Sequence, residues 1–595
     1  MVSTFHSNTT TTMKSKNKII ATLLLGAGLT LQSCNGIFDE LAVNPNQPSM
    51  SSYFSTPEGV NDAVATMYGY ISTQRCLGAS GSKTQIIRSD EGSSNSDYGK
   101  PGMFGEDLNS SYYTIEQPYT LMYTTASQAS YIIEEAPNVD FSGNDELRNV
   151  YMGEAYFWRA FAHYYLLINF RQVTPVRSMP RNSEDYVRKP ETAEAVWNFI
   201  QEDLEKAKEL LPSKGYWNSD NQGRVTKAAA ATLQGLCYMY RTGIESHYGA
   251  STKTYYNEAA QEFADIINGK YGTYQLASDY SWNFDVAHEN DANPESILEI
   301  QFLGDVNNTG FNPGTATSGL AFDARGLMLP GAGVGYEGVA HNWLYNEFVN
   351  SIDRNGCTDI RMFSTLMFDD LKPEIKLHTD AEGKAIRLEG PGGFHWEDFY
   401  PATTSAEGFQ TVANTLAHPF KAGIKKGLDY SMPTLTNADG TPKTNGMGSG
   451  TKEYVYNQPR AHGVNWRYLR YADVLLLYAE AVLNGGTQGA MSPTEAVNLV
   501  RNRAELESLT SASLEDVKHE RMLELAFEGH RFYDLLRWGE LAQRFQTLTS
   551  QDPYFKKFVS STDYKGFVTN KHEWLPIPIN EMNSNPNIES NNPGY

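Results

Sequence analysis

From Tyr471 to Leu483 the chain reads YADVLLLYAEAVL, apolar on nearly every face of a helix, with Asp473 and Glu480 as its only charges. A helix that is apolar all round is buried on most of its faces. Seven residues make about two turns, so both carboxylates lie on one face. Buried carboxylates need cationic partners, and Arg501 and Arg503 in the next helical segment (AVNLVRNRAEL) are the expected ones. Asn484-Gly485-Gly486 closes the helix.

Helical spacing recurs before this element. The apolar period predicts helices over 58–72, 117–135 (stopped by Pro137), 146–170, 192–211 (Thr192 at its start, Pro212 at its end), 226–240 and 255–268. Small residues stand where paired helices would touch: Ala155 and Ala160 beside Phe161, Ala228 to Ala231 with Gly235, and Ala259 and Ala260 with Phe263. No strict 34-residue period is present, so the expectation is a degenerate array of tetratricopeptide-like (TPR-like) helix pairs. After the apolar helix, residues 514–539 place Arg521, Glu524, Glu528, Arg531 and Asp534 at steps of three, four, three and three. That is an alternating-sign stripe on one helix face, read as structural ion pairing, with Gly529 placed to break it midway.

Residues 280–465 differ. Residues 304–340 hold nine glycines, one short strand is expected at 296–303, and 436–451 reads as a loop. Helix is expected to return at Trp466. A long irregular stretch inside a compact protein is usually functional, and its aromatics (Trp282, Tyr336, Trp343 and Trp396 among them) argue against disorder. An aromatic face covers the C–H face of a sugar ring, while carboxylate, amide and guanidinium groups satisfy its hydroxyls. The candidate ligand-binding residues are therefore Trp282, Tyr336, Trp396 and Trp343, with Tyr98 from an earlier loop and Arg88 and Asp90 as polar partners.

The N-terminus reads as an address. Lys14, Lys16 and Lys18 precede the apolar run 19–31, which is too short to span a bilayer, and Leu31-Gln32-Ser33-Cys34 follows at once. Residues 1–33 are expected to be a lipoprotein signal, Cys34 the lipidated first residue, 34–50 a tether and 51–595 one domain, with helical parts at 51–279 and 466–595 around an irregular ligand-binding part at 280–465. The remaining Cys76, Cys237 and Cys357 are odd in number and far apart, which is no disulfide framework. A net charge of −22 argues against nucleic-acid binding. No HExxH, Walker loop or GxSxG is present, and Gly333, Gly335 and Gly338 match GxGxxG only as a glycine-rich loop. The histidines lack metal-ligand spacing, so neither metal nor cofactor is expected. A structural Ca²⁺ would suit the acidity, though no EF-hand spacing occurs.

Four segments together resemble one family: RYADVLLLYAEAVLNGG (470–486), AVNLVRNRAEL (496–506), ERMLELAFEGHRFYDLLRWG (520–539) and LPIPINEMNSNPNIESNNPGY (575–595). With GEAYFWRAFAHYYLLINF (153–170), TKAAAATLQGLCYMY (226–240) and the Cys34 motif, they are similar to the SusD/RagB outer-membrane lipoproteins. The resemblance implies a mainly α, SusD-like fold of about four TPR-like pairs with a long loop-rich insertion carrying short strands. It implies a non-catalytic, lipid-anchored protein of the cell surface that captures oligosaccharides for a SusC-like TonB-dependent transporter. Peptide capture on the same scaffold is the alternative, and a glycoside hydrolase a more distant one. The matching motifs are scaffold motifs, so no ligand-binding residue carries over with them.

Overall fold

The structure, a computed structural model, describes residues 54–94, 104, 108–302, 322–323, 338–388, 421–426, 461–462, 464–551 and 566–595. The first half is helical: α1 (Pro57–Ser72), α2 (Ser80–Ile87), α3 (Tyr113–Glu135), α4 (Asp145–Phe170), α5 (Ala193–Leu210), α6 (Lys227–His247) and α7 (Tyr256–Ile267), with β1 (Gly92–Ser94) between α2 and α3. The middle holds β2 (Ser296–Ile300), β3 (Phe322–Asp323), β4 (Gly338–Ala340), α8 (Asn342–Asn350), α9 (Met362–Thr365), β5 (Leu366–Phe368), β6 (His378–Thr379), β7 (Ala385–Ile386), β8 (Ala422–Ile424) and β9 (Ala461–His462). The last part begins with β10 (Trp466–Arg470) and continues as α10 (Tyr471–Leu483), α11 (Pro493–Arg503), α12 (Leu514–Glu524), α13 (Arg531–Arg537), α14 (Leu541–Gln551) and α15 (Ile579–Ser584).

Each helix of the array packs on the next. The order is α3, α4, α5, α6 and α7, then α10, then α11 and α12, so α7 meets α10 across the whole insertion. This gives four successive helix pairs, a TPR-like scaffold. Local chemistry sets the ends. Thr192 Oγ1 accepts the Ala195 N–H at the start of α5, and Ser492 with Glu495 and Ser513 with Asp516 form capping boxes on α11 and α12. The small residues do what their spacing suggests: Ala228 to Ala231 are buried, and a Cβ on Gly235 would strike the Phe263 ring of α7. A Cβ on Gly243 would strike the Arg537 carbonyl, so α13 crosses α6 where no side chain intervenes.

As its composition requires, α10 is enclosed: every residue from Tyr471 to Ala481 is buried. Its two carboxylates are paired, but with different arginines from those expected. Asp473 takes Arg521 at 2.6 Å, and Glu480 takes Arg537 at 2.7 Å together with the indole N–H of Trp538 at 2.9 Å. Arg501 and Arg503 instead reach Glu520 and Glu295 at 3.1 Å each. Arg521 reaches Asp473 from α12 itself, and for Glu480 the reason is the break in the charged stripe. α12 stops at Glu524, Phe527 and Gly529 have positive φ, and α13 restarts at Arg531, which turns its charges toward α10.

Two further expectations are corrected. Trp466–Arg470 is a strand, paired antiparallel with β2 from Trp466↔Ile300 to Arg470↔Ser296, so helix returns at Tyr471. The region 280–465 is also less irregular than its sequence suggests: β1, β4, β8 and β5 form an antiparallel four-stranded sheet in that order.

Candidate functional site

The sheet and a buried charge cluster lie where the described chain leaves for and returns from the segments that carry the predicted ligand residues. In the cluster, Arg470 reaches Glu295 at 2.6 Å, Glu524 at 2.7 Å and Glu528 at 2.7 Å, and Arg361 reaches Asp359 at 2.7 Å, Glu520 at 2.5 Å and Glu524 at 3.0 Å. Arg503 pairs with Glu524, and Lys426 Nζ donates to Glu528 at 2.8 Å. Burial pushes the Glu295, Glu524 and Glu528 carboxyls up, but the surrounding cations outweigh it. Arg503, Arg470 and Arg361 hold Glu524 well below the usual range, and Arg470 and Lys426 hold Glu528 at about 2. Burial pushes Lys426 down to about 8, against the pull of Glu528. This is a structural network joining the insertion to α12 and β10, as expected of the stripe at 521–534.

Arg88 and Asp90 were expected as polar ligand partners; the structure uses both inside the scaffold. Arg88 is buried, donates from Nη2 to the His572 carbonyl at 2.7 Å and lies 4.0 Å over the Phe532 ring. Asp90 is buried and takes Arg531 at 2.9 Å and Arg544. Burial opposes its charge, yet these two guanidiniums hold its carboxyl at about 2. Trp343 is also buried. Its indole N–H donates to the Asp90 carbonyl at 2.6 Å, and Arg544 lies 4.0 Å over its ring, so neither ring nor N–H is left for a sugar. His341 completes the anchor: Nδ1 stands 2.7 Å from the same carbonyl, and Nε2 stands 2.7 Å from Ser93 Oγ. All these groups fix the root of the segment that leaves β1.

The β register shows where that segment starts. β1 pairs with β4 as Gly92↔Ala340, Ser93↔Val339 and Ser94↔Gly338. The chain leaving Ser94, four residues before Tyr98, and the chain entering Gly338, two residues after Tyr336, therefore stand at the same end of one ladder. β8 runs beside β4 with Val339↔Gly423, so the chain leaving Ile424 exits at that end too, while the chain that carries Trp396 enters β8 from the opposite end. Tyr98, Tyr336, Trp396 and Cys34 themselves lie outside the described residues. Trp282 is described: it is half-buried and stacked on His288, with centroids 4.3 Å apart and planes 7° apart. It stands two residues from Phe284, whose ring faces Lys426 Nζ at 4.6 Å, just past the exit of β8.

The sequence did not point to a second concavity. A cavity of about 550 Å³ opens between α3, the segment 174–188 and α15, lined by Tyr119, Tyr123 and Tyr186 with Asp185, Arg188 and Glu581. Tyr186 is 60% exposed at its rim. Its residues come from three distant stretches, which no single apolar period joins.

Comparison with known proteins fits this architecture. Residues 294–595 match the SusD family, and residues 41–239 match a family described as starch-binding associating with outer membrane. The chain belongs to the SusD family. SusD-like protein P2 of Formosa agariphila is 25% identical over 98% of this chain and all of its own length. A SusD homolog of Bacteroides thetaiotaomicron has a TM-score of 0.66 at 20% identity, covering 92% of this chain and 99% of its own. Surface glycan-binding protein A of the same organism, solved in complex with laminarihexaose, has a TM-score of 0.60 at 18% identity, covering 90% and 99%. No described helix is long and apolar enough to cross a membrane.

Proposed function

We propose that this protein is a cell-surface lipoprotein, anchored through a lipid on Cys34, that captures oligosaccharides and passes them unaltered to a partner TonB-dependent outer-membrane transporter. The observation that carries the reading is the Ser94↔Gly338 register: two segments with predicted ring-stacking tyrosines, Tyr98 and Tyr336, start side by side from a floor held by buried ion pairs. A rigid base that presents aromatics on loops is the arrangement that sugar capture needs, since each ordered loop otherwise costs binding free energy. Trp282, half-exposed near the exit of β8, adds a third flat surface. Membership of the SusD family and a glycan-bound relative of the same fold support the ligand class.

The test is a binding screen of the purified protein by calorimetry against laminarin and other plant, fungal, bacterial and host glycans, with a peptide mixture in parallel. Saturable binding of one glycan class, with no new reducing ends on incubation, is the expected result. Binding of peptides and of no glycan would overturn the reading, and release of shorter sugars would overturn the claim that the ligand leaves unaltered. Trp282→Ala and Tyr186→Ala then separate the loop region from the α3 cavity, and loss through Tyr186 alone would move the site.

A further inference from the structure

Asp353, Cys357 and His378 come together away from the charge cluster and the loop roots. Asp353 and Cys357 are the two ends of a tight turn, DRNGC, whose flanks Ile352 and Thr358 form an isolated β-bridge and whose Gly356 takes a φ of +80°. Asp353 Oδ1 accepts the amide N–H groups of Asn355 and Cys357, each at 2.8 Å, which fixes the carboxylate. The other oxygen, Oδ2, is buried and stands 2.8 Å from His378 Nε2, yet no aligned hydrogen bond joins the two atoms, and neither has another hydrogen-bond partner among the described residues. A carboxylate oxygen and an imidazole nitrogen thus face each other at close range. Cys357 Sγ is the third member: one donor atom from each residue lies within 4.8 Å of the others. His378 is delivered by the β6–β7 hairpin, a separate element from the turn.

The donor set decides the ion. One carboxylate oxygen, one imidazole nitrogen and one thiolate suit a borderline-soft divalent ion of the zinc class, which takes O, N and S ligands in four-coordinate sites. Calcium and magnesium take oxygen ligands and have no use for the thiol or the imidazole.

We propose that Asp353 Oδ2, His378 Nε2 and Cys357 Sγ bind a zinc-class divalent cation, with water as the fourth ligand. Binding breaks the Cys357 S–H bond heterolytically: the proton leaves to solvent, the sulfur lone pair goes to the metal, and no oxidant or reductant is involved. Arg354 Nε and Asn355 Nδ2 of the turn already hold Glu505, just past α11, at 3.0 Å and 3.3 Å. The ion therefore ties the β6–β7 hairpin to the turn, and through the turn to the helical array. This inference is independent of what the protein binds as nutrient.

The experiment uses the purified full-length protein, stripped with a chelator and titrated with Co²⁺ as spectroscopic probe. The expected result is one equivalent bound, a thiolate-to-cobalt charge-transfer band in the near ultraviolet, visible bands of a four-coordinate ion, and displacement of all of them by Zn²⁺. Cys357→Ser, nearly isosteric, should remove the charge-transfer band. His378→Ala should weaken Co²⁺ binding by about tenfold or more, since even losing a group behind a ligand costs ~10–100-fold. Cys34 is present in every variant, and Cys76 and Cys237 are buried, so the difference on Cys357→Ser belongs to Cys357. Absence of the band in the unaltered protein, or its persistence in Cys357→Ser, would overturn the proposal. So would Co²⁺ affinity unchanged in His378→Ala or, should that variant misfold by circular dichroism, in His378→Gln.

Discussion

Asp90→Asn tests whether the root of the β1 loop is held electrostatically. Arg531 and Arg544 more than offset the burial of this carboxyl and keep it at about 2, against an ordinary 3.8. The difference is worth ~2 kcal/mol at ~1.36 kcal/mol per pH unit. Asparagine keeps the shape but leaves two guanidiniums facing a neutral amide. Breaking a fully buried pair costs ~3–5 kcal/mol, but the Arg531 and Arg544 side chains retain 11% and 14% exposure, so water relieves part of it and ~2–4 kcal/mol is expected. The sign with pH follows from linkage. A carboxyl held low stabilises the fold above its unfolded value and loses that contribution as pH falls through its folded value. The gap between native protein and variant should therefore be full at pH 7 and pH 5, and smaller by ~1 kcal/mol at pH 3. Urea unfolding followed by circular dichroism and tryptophan fluorescence at the three pH values measures it. A gap under ~0.5 kcal/mol at pH 7, or one of the same size at pH 3, would refute the account of the loop root.

Arg470→Met should cost ~3–5 kcal/mol in the same assay, because Glu295, Glu524 and Glu528 each lose a buried partner. Gly243→Ala should cost ~1–3 kcal/mol and lower the melting temperature, since the added methyl group meets the Arg537 carbonyl where α13 crosses α6. Trp282→Ala should weaken glycan binding about tenfold, read by calorimetry, with an unchanged far-ultraviolet dichroism spectrum.

What the sequence disclosed follows the length of the repeating signal. Helices α4, α5 and α7 could be placed to within a residue or two because each carries an apolar face over three or more turns. α2 could not. SGSKTQII has no apolar face, and it is a helix because it is buried from Ser80 to Ile87 on every side. The strands of the four-stranded sheet are three residues each, too short to show alternation, and their partners come from four distant stretches. The need for buried cations opposite Asp473 and Glu480 was legible, but that α12 and α13, rather than α11, supply them was not, and Arg537 reaches Glu480 only past the turn at Phe527 and Gly529. The burial of three candidate site residues was hidden for a related reason. Arg88, Asp90 and Trp343 are polar or amphipathic groups in an apparent loop, and only tertiary contacts reveal that their partners are Arg531, Arg544 and the His572 carbonyl. Cys357 and His378 were passed over because they lie on different hairpins, outside any linear ligand pattern.

The packing of α7 on α10 has a consequence for how the chain is made and how it diversifies. As the polypeptide emerges, α3 to α7 can stack on one another from contacts between neighbours. The array can be completed only after residues 268–470 have followed and Tyr471 arrives, so its closure is a late, long-range event. Yet the entropy of closing a loop grows slowly, by ~0.6 kcal/mol for each doubling of length. The insertion can lengthen, shorten and exchange its recognition surfaces at little cost to the array that clamps its two ends. New ligand preferences can therefore arise in the insertion without redesign of the scaffold.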